Sequence, residues 1–121
     1  MQPGDGTSPD PTHTVFEVDG QALRVSKADG EQIRDALVAR IEGCQVEDRA
    51  SLLARTRDAE VTLAENAVQI GSWYLQAAGT GLRLMIRLGA GASRAYAAWV
   101  AKQADGWHVD EVAPVFIHPR R

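Results

Sequence analysis

The chain has 121 residues, enough for one domain with its own core. A hydrophobic fraction of 45% and a charged fraction of 24% are those of a globular protein and exclude a low-complexity chain. The net charge of −3 is too small to demand a polyanionic partner, a lone cysteine (Cys44) excludes an internal disulfide, and no apolar run is long enough to span a bilayer. No basic-then-apolar segment of the signal-peptide type opens the chain, so a cytoplasmic location and no membrane contact are expected.

Residues 1–13 read as a disordered tail. They hold Pro3, Pro9, Pro11, Gly4 and Gly6 and no large aliphatic residue after Met1, so ordering them would bury almost nothing. Residues 14–121 read as a single α+β domain. Thr14 to Ser26 predicts a β-hairpin, with Val15, Phe16 and Val18 before Asp19-Gly20 and Leu23 and Val25 after it. Asp-Gly is a strong two-residue turn signal because both central positions need positive φ.

A helix is predicted over about residues 29–42, capped by Ser26 or Asp29. Ile33, Leu37 and Ile41 recur at spacing four and form one apolar stripe. Gly43 suits a left-handed position after the helix. Cys44 would then follow a helix C-terminus, where thiolates gain nothing, and it reads as a small buried hydrophobe. Asp48 could cap a second, short helix over residues 48–57, docked by Leu52 and Leu53.

The remainder reads as an antiparallel meander. Strands are expected at Val61–Leu63, Val68–Gln76, Leu82–Leu88, Ala95–Lys102 and Trp107–Ile117, with turns at Glu65-Asn66, Ala77–Gly81, Gly89–Ser93 and Asp105-Gly106. Residues 92–104 pull two ways. Tyr96, Trp99, Val100 and Gln103 fit helical spacing, whereas the following Asp-Gly favours a hairpin, and the strand is preferred. The expected architecture is therefore an N-terminal β-hairpin and one or two helices packed on a C-terminal antiparallel sheet of about four to five strands.

Leu82-Arg83-Leu84-Met85-Ile86-Arg87-Leu88 carries the sharpest functional signal. Aliphatic residues at every second position demand a half-buried strand, so Arg83 and Arg87 share the other face. Six of the seven aromatics lie after residue 72, and adjacent Trp73 and Tyr74 must point opposite ways on a strand. Arg83, Arg87 and Arg94 with Tyr74 and Tyr96 are thus the candidate binding residues, of a kind suited to a protein partner. The first 66 residues hold a surplus of carboxylates and the rest a surplus of cations, which fits either such a surface or internal neutralisation.

Other chemistry is weaker. His108 and Asp110 are two apart on an expected strand and would share a face, making them acid–base candidates. His108 and His118 lie about 33 Å apart on a straight strand, too far to share a metal, and neither metal nor cofactor is expected. Gly89-Ala90-Gly91-Ala92-Ser93 follows a strand, but Arg94 stands where a dinucleotide fingerprint needs a small residue, so it reads as a loop. Neither Ser72 nor Ser93 lies in a Gly-x-Ser-x-Gly elbow.

The closing stretch, Trp99-Val100-Ala101-Lys102 and Asp105-Gly106-Trp107-His108-Val109-Asp110, resembles the end of NTF2-like or cystatin-like domains over roughly the last sixty residues. That resemblance implies a curved sheet and a pocket between helix and sheet. The hairpin at residues 14–26 departs from a pattern that starts with helices. Two functions are weighed. One is a non-catalytic interaction or regulatory module that binds a protein through the Arg/aromatic sheet face, compatible with homo-oligomer formation. The other is an NTF2-like pocket protein, a small-molecule binder or acid–base enzyme using His108 and Asp110. Nucleic acid is disfavoured by a pI near 5.5.

Overall fold

The computed structural model describes residues 12–88 and 94–115. Most of the tail, the Gly89–Ser93 segment, Phe116 and His118 lie outside the described residues. The chain runs β1 (His13–Val18), β2 (Gln21–Ser26), α1 (Lys27–Glu42), α2 (Arg49–Thr56), then β3 (Val61–Leu63), β4 (Val68–Ile70), β5 (Trp73–Ala78), β6 (Gly81–Leu88), β7 (Arg94–Gln103), β8 (Gly106–Val109) and β9 (Ala113–Val115). The fold class is α+β, as expected. β1 and β2 form their own hairpin, and β3 to β9 form one curled antiparallel half-barrel sheet.

The leading hairpin closes at Asp19-Gly20, with φ of 54° and 79°. Its inward face puts Phe16 and Val25 into the core, and the buried Thr14 hydroxyl donates to the Ala64 carbonyl at 2.7 Å. α1 begins two residues earlier than expected because Ser26 and Asp29 act together as a capping box: Asp29 N–H donates to Ser26 Oγ at 3.0 Å and Ser26 N–H to Asp29 Oδ2 at 2.9 Å. Its stripe of Ile33, Leu37 and Ile41 is fully buried. Gly43 has φ −94° and ψ 0°, so it closes the helix in right-handed geometry, with its N–H shared among the last carbonyls. Cys44 is buried and its thiol donates to the Ile41 carbonyl at 3.3 Å.

The sheet has more strands than the sequence pattern suggested, for two physical reasons. Val68–Gln76 is a tight hairpin rather than one strand. Val68, Ile70, Trp73 and Leu75 are all buried, and the three-residue step from Ile70 to Trp73 breaks a period of two. Gly71, at φ +59°, supplies the first turn position, and a Cβ there would stand 2.9 Å from both Ala59 Cβ and the Arg55 carbonyl oxygen. Trp107–Ile117 is likewise interrupted. Val109 pairs with Val100 and Ala113 with Ala97, so three residues oppose two. This bulge lets Val109 and Val112 both point inward.

The turn between β7 and β8 is Ala104-Asp105, one residue earlier than expected, since Gln103 pairs with Gly106. Residues 94–103 are strand, despite their helical propensity, because β6 on one side and β8 and β9 on the other supply its ladder partners. The core fills the space between the helices and the inner sheet face, where Trp73, Leu75, Leu82, Leu84 and Ile86 are at most 1% exposed. The Trp73 indole N–H donates to Thr56 Oγ1 at 2.9 Å, which ties β5 to α2 through a satisfied buried polar pair.

Candidate functional site: the outer face of β5, β6 and β7

Strand register fixes which side chains share the outer face. Tyr74 pairs with Met85 and Gln76 with Arg83 across β5 and β6, while Arg83 pairs with Trp99, Met85 with Ala97 and Arg87 with Ala95 across β6 and β7. Arg83, Met85 and Arg87 therefore form the central row, with Tyr74 and Gln76 on one side and Trp99 on the other. Tyr74 and Trp99 are each 47% exposed. They are two of the three large hydrophobics left in solvent among the described residues, the third being Val15 of the leading hairpin.

Trp99 is held flat. A Cβ at Gly81 would meet its ring at 3.5 Å, so the indole lies across that bare strand position. The Arg83 guanidinium carbon sits 5.9 Å from the centroid of the same ring, a cation–π contact that pins both groups. On the other side of β6, Ser72, Tyr74, Gln76, Met85 and Arg87 line a concavity of about 420 Å³. Among the described residues neither Arg83 nor Arg87 makes an ion pair. The face thus offers two uncompensated cations, two aromatic surfaces and a thioether.

Arg94 and Tyr96 stand on the opposite face of β7. Their register partners are Leu88 and Ile86, both of them core residues. Tyr96 is 5% exposed and its hydroxyl donates to Asp48 Oδ2 at 2.8 Å. Arg94 Nε lies 3.3 Å from the same carboxylate oxygen. Burial, then the Asp48 partner, pushes the Tyr96 phenol above its ordinary value. This cluster anchors β7 to the start of α2 and is spatially separate from Arg83 and Arg87.

Among the described residues His108 and Asp110 share no hydrogen bond or ion pair. β8 ends at Val109, and Asp110 lies in the bulge with its backbone N–H on the Trp99 carbonyl at 2.8 Å. His108 Nε2 instead lies 2.8 Å from Asp105 Oδ1 in the β7–β8 turn, and that contact pulls the Asp105 carboxyl below its ordinary value. His108 also lines a shallow groove of about 260 Å³ with Ala36, Ala39, Arg40, Trp107 and Val109, and no carboxylate is among its described lining residues. Trp107 sends its indole N–H to Asp29 Oδ1 at 3.1 Å.

Sequence reasoning missed Trp99, Met85 and Gln76 as members of the outer row, although parity marks them: Met85 lies between Arg83 and Arg87 at the same two-residue step. Among the described residues no group of three or more His, Cys, Asp or Glu side chains could hold a metal, and no helix is long and apolar enough to cross a membrane. Compared with protein-family models, curated proteins and solved structures, the chain matches none of them.

Proposed function

We propose that this domain is a non-catalytic interaction module that captures a protein partner on the outer face of β5, β6 and β7. The observation that supports it is the grouping of Tyr74 and Trp99, each about half exposed, around a row of a methionine and two arginines that make no ion pair among the described residues. Aromatic, Met and Arg side chains are the residues enriched at protein interfaces and their hot spots. Such a cluster in water costs apolar hydration that a partner would relieve. A protein fits better than a nucleic acid, since the chain carries net negative charge and the described face holds only two free cations. Charge complementarity makes the expected partner surface acidic with apolar anchors.

Selection of a randomised peptide library on the immobilised domain tests this. Enriched peptides should be rich in carboxylates and aromatics and should lose binding to an Arg83→Glu/Arg87→Glu variant that melts within a few degrees of wild type. Enriched peptides that bind the charge-reversed variant as tightly would remove this face from the interaction.

A further inference from the structure

Resting on that reading, we infer that the outer face takes an extended polypeptide segment of another protein with the pattern acidic–x–apolar–x–acidic. Its two carboxylates meet Arg83 and Arg87, and its central apolar side chain enters the concavity over Met85.

The spacing carries the argument. Arg83, Met85 and Arg87 share one face at two-residue steps, as their partners Trp99, Ala97 and Ala95 on β7 establish. The two arginine positions are about 13 Å apart along the strand. An extended peptide projects its own side chains i, i+2 and i+4 to one side at the same rise, so it matches this row without strain.

The arginines also diverge. Arg83 leans over Trp99 on the β7 side, while Arg87 lines the concavity with Ser72, Tyr74 and Gln76 on the β5 side. One phosphate or one small anion cannot take both; two separate carboxylates can. A guanidinium held 5.9 Å from an indole centroid spends none of its N–H groups on the ring, so the Arg83–Trp99 contact places the donor without consuming it.

The concavity accounts for the middle position. At about 420 Å³ it falls within the range of pockets that hold small organic groups. Met85 and the Tyr74 ring give it an adaptable apolar floor, while Ser72 and Gln76 offer polar groups to a peptide backbone. A second copy of this chain cannot supply the ligand. Acidic residues flanking an apolar one at this spacing occur in the sequence only at Glu31, Ile33 and Asp35. That stretch is inside α1, with Ile33 fully buried.

The test uses the full chain and a capped, fluorophore-labelled peptide, Glu-Thr-Phe-Thr-Glu, against the same composition reordered as Glu-Glu-Thr-Phe-Thr. Fluorescence anisotropy at moderate salt should show the first binding about fivefold more tightly, the worth of one exposed ion pair. Arg83→Gln and Arg87→Gln should each weaken it by a similar factor and erase the preference between the two peptides, with melting midpoints within a few degrees of wild type. The Met85 methyl resonance should shift on titration. Equal binding of both peptides by the wild type, or displacement of the peptide by an oligothymidylate at comparable concentration, would overturn the spacing rule. If library-selected peptides are still lost on charge reversal, the interaction-module reading survives that failure. If they are not, both fall.

Discussion

β6 carries two chemistries on one backbone. Leu82, Leu84, Ile86 and Leu88 point inward and are at most 3% exposed. Arg83, Met85 and Arg87, interleaved with them, point outward to Tyr74, Gln76 and Trp99. The inner row is constrained by packing against neighbours on every side, whereas among the described residues the outer row meets its strand neighbours. A period of two therefore separates a packed apolar row from a polar outer row within eight residues. Substitutions on this strand should divide the same way, and each departure from that division would show where the two faces are coupled.

The largest expected effect is on the inner face. Leu84 is fully buried at the centre of the sheet, paired with Leu75 and Ala98. Leu84→Ala should lower unfolding free energy by about 2–5 kcal/mol, from lost transfer energy plus the cavity left behind. Urea denaturation measures it. A loss below about 1 kcal/mol would mean that the inner face collapses around the gap or is wetter than its burial indicates.

Asp29 comes next, because one carboxylate serves two elements. It completes the α1 capping box and accepts from the Trp107 indole on β8. Asp29→Ala leaves both donors without this acceptor, at a cost of about 2 kcal/mol for a cap and a side-chain hydrogen bond. Burial alone would raise the Asp29 carboxyl, but the hydrogen bonds from Ser26 and Trp107 and the nearby Lys102 hold it below its ordinary value of 3.8. Its contribution is therefore complete above the unfolded value and is lost as pH falls through the lower folded one. The stability gap between wild type and Asp29→Ala should narrow below about pH 4. A gap that stays constant into acid would detach the carboxylate charge from the cap.

Tyr96→Phe probes the tie between β7 and α2. Loss of the phenol leaves Asp48 with Arg94 as its remaining side-chain partner from β7, at a cost of about 1 kcal/mol. The folded phenol titrates above its ordinary value of 10.0, so its share of stability is complete below that pH and declines as pH rises through the folded value. Wild type should lose stability above about pH 10 more steeply than Tyr96→Phe in chemical denaturation. Matching slopes would show the phenol to be freely solvated.

An element of this fold is legible in the sequence to the extent that its determinants are local. Asp19-Gly20 and the 33/37/41 stripe are complete within a few residues, and the leading hairpin and α1 were legible from them. The Val68–Gln76 hairpin and the bulge after Val109 were not, because both hide in a change of parity. Apolar residues resume after each break, and the odd steps from Ile70 to Trp73, across Gly71-Ser72, and from Val109 to Val112, across Asp110-Glu111, betray it. The same parity governs the site. Arg83 and Arg87 can be placed on one face from the sequence because they share a strand. Arg94 and Tyr96 could not be placed relative to them without the β6–β7 register, which pairs Arg87 with Ala95 and so turns the even residues of β7 inward. Asp105 as the partner of His108 depended on the turn falling at Ala104-Asp105, a one-residue difference that no local propensity specifies.

The smallest effect on stability is the sharpest test of the comparison. Arg83→Gln and Arg87→Gln, alone or together, should leave unfolding free energy within about 0.5 kcal/mol of wild type, as surface substitutions away from buried networks do. Arg83 could deviate first, because its guanidinium rests on Trp99 and an exposed cation–π contact is worth about 0.5–1 kcal/mol. Among the described residues Arg87 has no such contact, and it lies exposed beside the concavity. A melting curve for Arg83→Gln displaced further than that of Arg87→Gln would thus measure how firmly the guanidinium holds Trp99. If Arg87→Gln instead proves the more destabilising, Arg87 supports the fold, and the clean division between the two faces of β6 fails at its outer end.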